Sequence, residues 1–386
     1  MNDSSAPLGV ALLGAGWMGS ALLRGLAARP DAQVLALCQR NAGRGRAVLA
    51  EAGLPETRFT DDYPGLLARP EVEAVVICTP NHLHAPQALA ALAAGKHVFC
   101  EKPAATHPRD HRLLVEAARR HPRQITLVDY ILYFDPTETR LRALIAEGAL
   151  GLITQIQVNY RHPINVAGDK AWKLETARMG DAIGMGINHA LSVILFALAP
   201  QTRPARVYAT SAPARVRAFE SDPIWNILIE FADGAAGFCF GNIDSSLGYD
   251  ATHSVYGDAG AFCFDSLQER PRKIRWWSRT RTGGAWVWPL DPACDPAQAW
   301  PPDLATPDSG NVIHHQTAGC LGHFLEHARA GRPSPLGFDH AADVAEVGWA
   351  ARLSALRRRP VDLPLTPEDW AELDADADRL AVRPGS

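Results

Sequence analysis

The first part of the chain alternates short apolar runs with helical patterns. Leu8–Leu13 is apolar and ends in glycine, and Trp17–Ala28 has helical spacing that stops before Pro30. Val34–Cys38 is a second run, followed by a helix over Ala42–Ala52 closed by Gly53. Val72–Cys78 is a third run, ending at Thr79-Pro80, and Pro86–Ala94 is an alanine-rich helix closed by Gly95. His97–Cys100 and Ile125–Val128 are further runs, with a helix over Pro108–Arg120 between them. Apolar runs that alternate with helices predict a parallel sheet built from right-handed βαβ units.

After Asp135-Pro136 the texture changes. A helix over Thr137–Glu147 leads to Gly148, and longer alternating strands follow at Thr154–Tyr160, Arg206–Thr210, Ile224–Phe231, Ala235–Gly241, His253–Gly257 and Ala261–Asp265. Asp233-Gly234 reads as a hairpin turn between two of them. One helix, Ile187–Leu198, interrupts the strands, and helical patterns return at His315–Ala330 and Ala341–Leu356. The stretch Trp276–Asp308, rich in Trp, Pro, Gly and Asp, reads as a surface excursion. The expected architecture is α/β: an N-terminal parallel-sheet domain over residues 1–128, then an α+β domain over 129–386 with a large, mostly antiparallel sheet.

Composition narrows the class. The chain has 386 residues, 47% hydrophobic and 21% charged, enough for two domains without disulfide or metal staples. A formal net charge of -4 argues against nucleic-acid or membrane-surface binding. The basic run Arg352, Arg357, Arg358, Arg359 is short and reads as a solvated helix end. Seven scattered cysteines without a C-x-x-C pair (Cys38, Cys78, Cys100, Cys239, Cys263, Cys294, Cys320) read as reduced core thiols of a cytoplasmic protein. The N-terminus lacks the basic-then-apolar pattern of a signal peptide, and no uninterrupted apolar run reaches the ~18 residues of a membrane span. No metal constellation stands out: His82, His84 and His97 lack a carboxylate partner pattern, and His314-His315 diverge on a helix. Of 38 basic residues only five are lysine (Lys96, Lys102, Lys170, Lys173, Lys273), so each lysine invites a question.

Gly14-Ala15-Gly16-Trp17-Met18-Gly19 fits G-x-G-x-x-G, follows a strand and opens a helix. Glycines there permit a tight turn and a close approach of backbone N–H groups to a pyrophosphate, which the helix N-terminus also favours. The second strand ends in Gln39-Arg40-Asn41. A carboxylate at that point would bind the ribose 2′-hydroxyl and repel a 2′-phosphate. None is present, and Arg40 can pair with a phosphate as a planar fork, so NADP(H) is favoured over NAD(H). Alternatively, Gln39 bonds the ribose, NAD(H) is used and Arg40 is a solvated loop residue. Thr79-Pro80-Asn81-His82-Leu83-His84 follows the third strand, where loops face the ligand crevice. Thr79, Pro80, Asn81 and His84 are therefore candidate cofactor contacts.

Val98-Phe99-Cys100-Glu101-Lys102-Pro103 is an apolar strand ending in a charged pair at the same sheet edge. A lysine there can hydrogen-bond a substrate hydroxyl or carbonyl and stabilise the alkoxide-like charge of hydride transfer. Glu101 can position it or contact the cofactor.

The combination GAGWMG, TPNHLH and CEKP, in this order and spacing, resembles the glucose–fructose oxidoreductase / inositol dehydrogenase family (Gfo/Idh/MocA) over roughly residues 8–358. Asp129-Tyr130 through Phe134-Asp135-Pro136 looks like its domain junction. Phe231–Gly237 and Gly257-Asp258-Ala259-Gly260 look like its sheet turns, and Phe324–Pro333 like its helix-G-R-P segment. The resemblance implies a Rossmann domain and an α/β domain with an open sheet used for oligomer contacts, here a homodimer or homotetramer. It also implies NAD(P)-dependent chemistry on sugars, inositols or related alcohols.

The substrate side departs from the family. The family's D-x-G-x-H-x-x-D element, aligned on Gly186, places Gly184, Asn188 and Leu191 at the acidic, histidine and second acidic positions. Asn188 can bond a hydroxyl but cannot take its proton. His189 lies one residue along, about 100° away on a helix, and is the acid/base candidate or a packed core histidine. Asp181 could supply a carboxylate or serve as a cap. The junction reads Ile131-Leu132-Tyr133 where the family has polar residues. Tyr130 and Trp172 are candidate substrate contacts, and Trp172 with Lys173 resembles the family's W-R element. Tyr160, Arg161, His162 and Lys170 could meet an anionic group or lie in a solvated loop.

The expected activity is a dehydrogenase or reductase moving hydride between a nicotinamide and a carbinol carbon of a sugar or polyol, with Lys102 and His189 as catalytic residues. Two alternatives use the same fold: a redox-neutral enzyme with transient oxidation, and a dinucleotide-binding protein without catalysis.

Overall fold

The computed structural model describes residues 6–246, 251–264, 274–287 and 316–381. They form two compact units. The first comprises Met1–Ile131, Arg178–Gly180 and His315–Asp343; the second comprises Leu132–Ala177, Asp181–His314 and Val344–Ser386. The first unit is therefore not one contiguous stretch, because a late helical segment returns to it.

The first unit runs β1 (Leu8–Leu13), α1 (Trp17–Ala27), β2 (Ala32–Cys38), α2 (Ala42–Glu51), β3 (Arg58–Thr60), α3 (Tyr63–Leu67), β4 (Ala74–Ile77), α4 (His84–Ala93), β5 (His97–Cys100), α5 (Pro108–Arg120) and β6 (Thr126–Val128). The strands form one sheet in the order β3-β2-β1-β4-β5-β6, all parallel. β1, β4 and most of β5 are buried on both faces, which is why they are apolar throughout rather than alternating. Side-chain caps start three of this unit's helices: Asn41 Oδ1 accepts from Arg44 N–H at 2.9 Å, Asp62 Oδ1 from Gly65 N–H at 2.9 Å and His107 Nδ1 from Arg109 N–H at 3.1 Å. β3 and α3, of three and five residues, are too short to show a period in the sequence.

The second unit continues with α6 (Pro136–Ala146), β7 (Ile153–Arg161), a short helix α7 (Thr176–Met179) that crosses the division between units, α8 (Asn188–Leu198), β8 (Pro204–Ala212), β9 (Ile224–Phe231), β10 (Ala236–Asn242), β11 (His253–Gly257), β12 (Gly260–Phe264) and β13 (Ile274–Ser278). α9 (Thr317–Ala330) belongs to the first unit, and the division falls within α10 (Phe338–Arg357). β14 (Val361–Asp362) and α11 (Pro367–Ala381) close the described chain. The sheet order is β13-β12-β11-β7-β10-β9-β8-β14, antiparallel except for the β10–β7 pair. Asp233-Gly234 makes the expected hairpin: Gly234 has φ +90° and Asp233 Oδ1 accepts from Ala235 N–H at 3.1 Å.

Register sets which face is buried. Val207, Ile229, Gly237, Ile156 and Val255 lie in one row across five strands, all buried. α8 packs on that side, where a Cβ on Gly237 would meet Ile194 at 3.0 Å. The neighbouring row, on the opposite face, is Tyr208, Leu228, Phe238, Gln157 and Ser254, exposed or half-buried.

Three expectations change. The stretch from Trp276 is not all surface excursion: Ile274–Ser278 is a sheet strand and Trp276 is buried, while residues 288–308 lie outside those described. The helical stretch Thr176–Leu198 is long and apolar enough to cross a membrane, with mean hydropathy 1.5, although no single apolar run shows it. It is 89% buried inside the fold, as a core helix is. α11 has no counterpart in the sequence reading. Cys294 is also outside the described residues; the other six cysteines are free thiols.

Candidate active site

The order of the parallel sheet reverses between β1 and β4, and in such sheets ligands bind beyond the strand C-termini at that reversal. Three loops of the first unit meet this edge: Gly14–Gly19 after β1, Thr79–Leu83 after β4, and Glu101-Lys102-Pro103 after β5.

The three glycines have separate physical reasons. Gly14 has φ +83°, and a Cβ there would lie 2.7 Å from the Cys78 carbonyl oxygen. Gly19 packs α1 onto the loop so closely that a Cβ would sit 2.1 Å from the Gly14 carbonyl oxygen. Gly16 has an ordinary φ of -69°, and a Cβ would meet nothing within 4 Å. No side chain caps α1 at Gly16, and the helix N-terminus led by Trp17 and Met18 carries the positive end of the helix dipole, which favours an anion. A tight turn, a close packing contact and an open approach are what a bound pyrophosphate needs, so these residues fit a dinucleotide.

At the end of β2, Gln39 braces the glycine loop. Its Oε1 accepts from Ala15 N–H at 3.1 Å and its Nε2 donates to the Asn41 carbonyl at 2.9 Å. Arg40 is exposed. Arg44, which the sequence reading did not single out, reaches the Ala15 carbonyl with Nε at 3.4 Å. Asn41 caps α2 and so places Arg44 in its first turn, a position visible only once the helix start is known.

The β4 loop is largely structural. Thr79 Oγ1 bonds Gln87 Oε1 at 2.7 Å, and Pro80 opens the short helical turn Asn81–Leu83. Asn81 is buried and its Nδ2 donates to the Met179 carbonyl at 2.8 Å. His84 is buried, with its two ring nitrogens 2.7 Å from the carbonyls of Pro103 and Thr79. It ties two loops together, leaving neither nitrogen for a cofactor. Burial holds its pKa below the ordinary histidine value, opposed by the two carbonyls.

Glu101 is buried and its Oε2 accepts from Lys102 N–H at 3.0 Å. Lys102 is half-buried. Loss of hydration lowers its pKa, and the charges of Glu101 and then Asp129 oppose that. A lysine in this state is a donor whose proton can move, which an arginine would not be. By contrast, Lys96 is structural, its Nζ donating to the Arg69 carbonyl at 2.9 Å. Tyr130 is buried with its ring edge-on to His340 at 5.3 Å, so it packs within this unit.

The second unit holds another polar cluster. Residues Ile183–Ile187 form a π-helical turn before α8, a local widening common at functional sites. Asp181 caps that turn, its Oδ1 accepting from Gly184 N–H at 2.7 Å, and pairs with Arg352 at 3.6 Å. Of its two expected roles, the structure gives it the cap. Gly186 lies against Tyr160, where a Cβ would be 2.8 Å from the ring. Tyr160 bonds His162 Nδ1 at 3.0 Å, and the His189 ring lies 5.8 Å from the Tyr160 ring. Asn188 Nδ2 donates to the Gly184 carbonyl at 2.8 Å, while its buried Oδ1 has no partner among the described residues. Trp172 is half-buried in the turn Gly168–Leu174 with Lys173 Nζ 6.0 Å from its ring.

The fold and glycine loop define a dinucleotide-binding Rossmann oxidoreductase. Residues 8–129 match "Oxidoreductase family, NAD-binding Rossmann fold", and residues 139–263 match "GFO/IDH/MocA C-terminal domain". The chain belongs to the GFO/IDH/MocA oxidoreductase family. An inositol 2-dehydrogenase from Acidothermus cellulolyticus is 28% identical over 279 residues, 70% of this chain and 76% of that protein. Among solved structures, levoglucosan dehydrogenase in complex with NADH has a TM-score of 0.79 at 23% identity, over 93% of this chain and 100% of that one. GenD2 from gentamicin A biosynthesis, in complex with NAD, has a TM-score of 0.76 at 26% identity, over 93% of this chain and 97% of that one.

Proposed function

We propose that the protein is an NADP(H)-preferring dehydrogenase or reductase acting on a carbinol or carbonyl carbon of an inositol, sugar or related polyol. The observation that carries it is Lys102, a half-buried lysine with a depressed pKa, held beside Glu101 at the strand edge that bears the glycine loop. When bound, the nicotinamide supplies or accepts the hydride. Lys102 Nζ bonds the reacting oxygen and stabilises charge that develops there. The inositol 2-dehydrogenase relative supports a polyol substrate. In the second unit, His189 is the further acid/base group, and Asn188 Oδ1, Trp172 and the Tyr160–His162 pair supply substrate contacts.

The preference for NADP(H) rests on β2 ending without a carboxylate, on Gln39 being occupied by the glycine loop, and on Arg40 and Arg44 beside it. A homodimer or homotetramer would form across the outer sheet face bearing Leu228 and Phe238. Free thiols suit a cytoplasmic setting.

The test is steady-state kinetics with both cofactors over a panel of inositols and sugars. The expected result is turnover with a higher kcat/KM for NADP(H), and a rise in KM for NADP(H) of about tenfold in Arg44→Ala with little change for NAD(H). A strong preference for NAD(H) would overturn the cofactor reading. Cofactor that copurifies and is never released in turnover would point to the redox-neutral alternative.

A further inference from the structure

Asp129 follows β6 at the same edge of the sheet as Lys102. It is 1% exposed, and its N–H donates to the Cys100 carbonyl at 2.9 Å. β5 and β6 run in register with Cys100 opposite Val128, so Glu101 and Asp129 leave the two strands side by side, and no donor satisfies either Asp129 carboxyl oxygen among the described residues. A buried carboxylate left in that state is strongly unfavourable, and two ionised carboxylates in contact are more so. A single proton resolves both problems, because a carboxylic acid donates its O–H to a neighbouring carboxylate.

We propose that Asp129 and Glu101 share one proton across a carboxylic acid–carboxylate hydrogen bond and so present one constant negative charge to Lys102, with Asp129 acting as a positioning residue for that ammonium. Burial, then the Glu101 charge, pushes the Asp129 acid well above the usual carboxylate range. The other groups facing the pair do not compete for the charge. Burial raises the thiols of Cys78, Cys100 and Cys320, which keeps them neutral, and Lys102 is the cation in reach. His84 also feels Glu101 and Lys102, and burial favours its neutral ring.

With one charge held by the pair, Lys102 meets a fixed negative charge while it takes up or releases the proton of the reacting oxygen. The functional part of the inference rests on the reading of Lys102 given above; the shared proton does not.

The test uses the full-length protein without added substrate. Infrared spectra of the wild type at neutral pH are expected to show a protonated-carboxyl stretch, absent in both Asp129→Asn and Glu101→Gln. Acetic anhydride labelling of Lys102, read by peptide mass spectrometry, is expected to change by no more than about twofold in either single variant, because the remaining carboxyl carries the charge. In the double variant the counter-charge is gone, and labelling should accelerate about tenfold or more. Absence of the band from the wild type, its survival in either single variant, or a tenfold acceleration in Asp129→Asn alone would overturn the shared proton. Thermal unfolding identifies a variant that fails to fold, and the wild-type infrared band needs no variant. Near-normal turnover in Lys102→Met would defeat the role of Lys102 while leaving the infrared result intact, so the two failures are separable.

Discussion

Gly16 and Gly19 lie three residues apart in one loop, but a methyl group added to each would do different things. At Gly16 it enters open space at an ordinary φ, so Gly16→Ala should leave the melting temperature nearly unchanged. It should still weaken dinucleotide binding about tenfold or more, because the methyl stands where the pyrophosphate approaches. At Gly19 the methyl meets a backbone carbonyl at 2.1 Å, so Gly19→Ala should lose about 1–3 kcal/mol of stability together with binding. Calorimetric melting and cofactor titration of the two variants check the contrast. Lys102→Met keeps length and apolar bulk but removes the donor; it should cut kcat by about 10³-fold while cofactor affinity holds, as stopped-flow turnover and binding titration would show. The glycine loop and Lys102 are legible in the sequence because local spacing defines them. Arg44 and Asp129 are not, because their importance depends on a helix cap and on which strand ends the fold brings together.

Helices and strands of the first unit were mostly readable as elements, since a buried parallel strand must be apolar along its whole length and its helices carry a clear period. What could not be read was the environment of polar residues within them. His111 in α5 and His340 in α10 sit in apolar surroundings, and burial pushes each pKa down from 6.5 to about 4. The unfolded chain therefore binds a proton near pH 6.5 that the folded chain refuses until about pH 4. The stabilisation is fully present above 6.5 and falls as the pH drops through that window. Each histidine accounts for a loss on the order of 3 kcal/mol by pH 4. Denaturant midpoints measured between pH 7 and 4 should decline steeply, and His111→Gln should flatten the decline. An unchanged slope in the variant would refute its part. The π-helical turn before α8 was equally hidden, because Gly184 and Gly186 interrupt the helical period at the place where Asp181 and Tyr160 hold the backbone.

At the scale of the molecule, the outer face of the eight-stranded sheet carries half-buried Leu228 and Phe238 in one row with exposed Tyr208. If that face joins copies of the chain, Phe238→Glu places a charge in the contact and should convert the oligomer to monomer in sedimentation velocity, with kcat for the monomer as a second readout. The division of the chain was only partly readable, since a linear pattern shows where texture changes but not where a later segment returns. α9 comes back to the first unit, where Phe324 sets its ring against Phe99 of β5 at 5.7 Å, and the Val128 N–H bonds the Leu336 carbonyl at 2.8 Å. Synthesis on the ribosome proceeds in the opposite sense to completion of this unit. The nucleotide-binding strands emerge first, but the surface that covers β5 and β6 emerges only after most of the second unit. Until then Phe99 lacks its cover, so the nascent half-domain is a natural client for chaperones, and a gene cut after residue 131 should give an aggregating fragment rather than a small dinucleotide-binding protein.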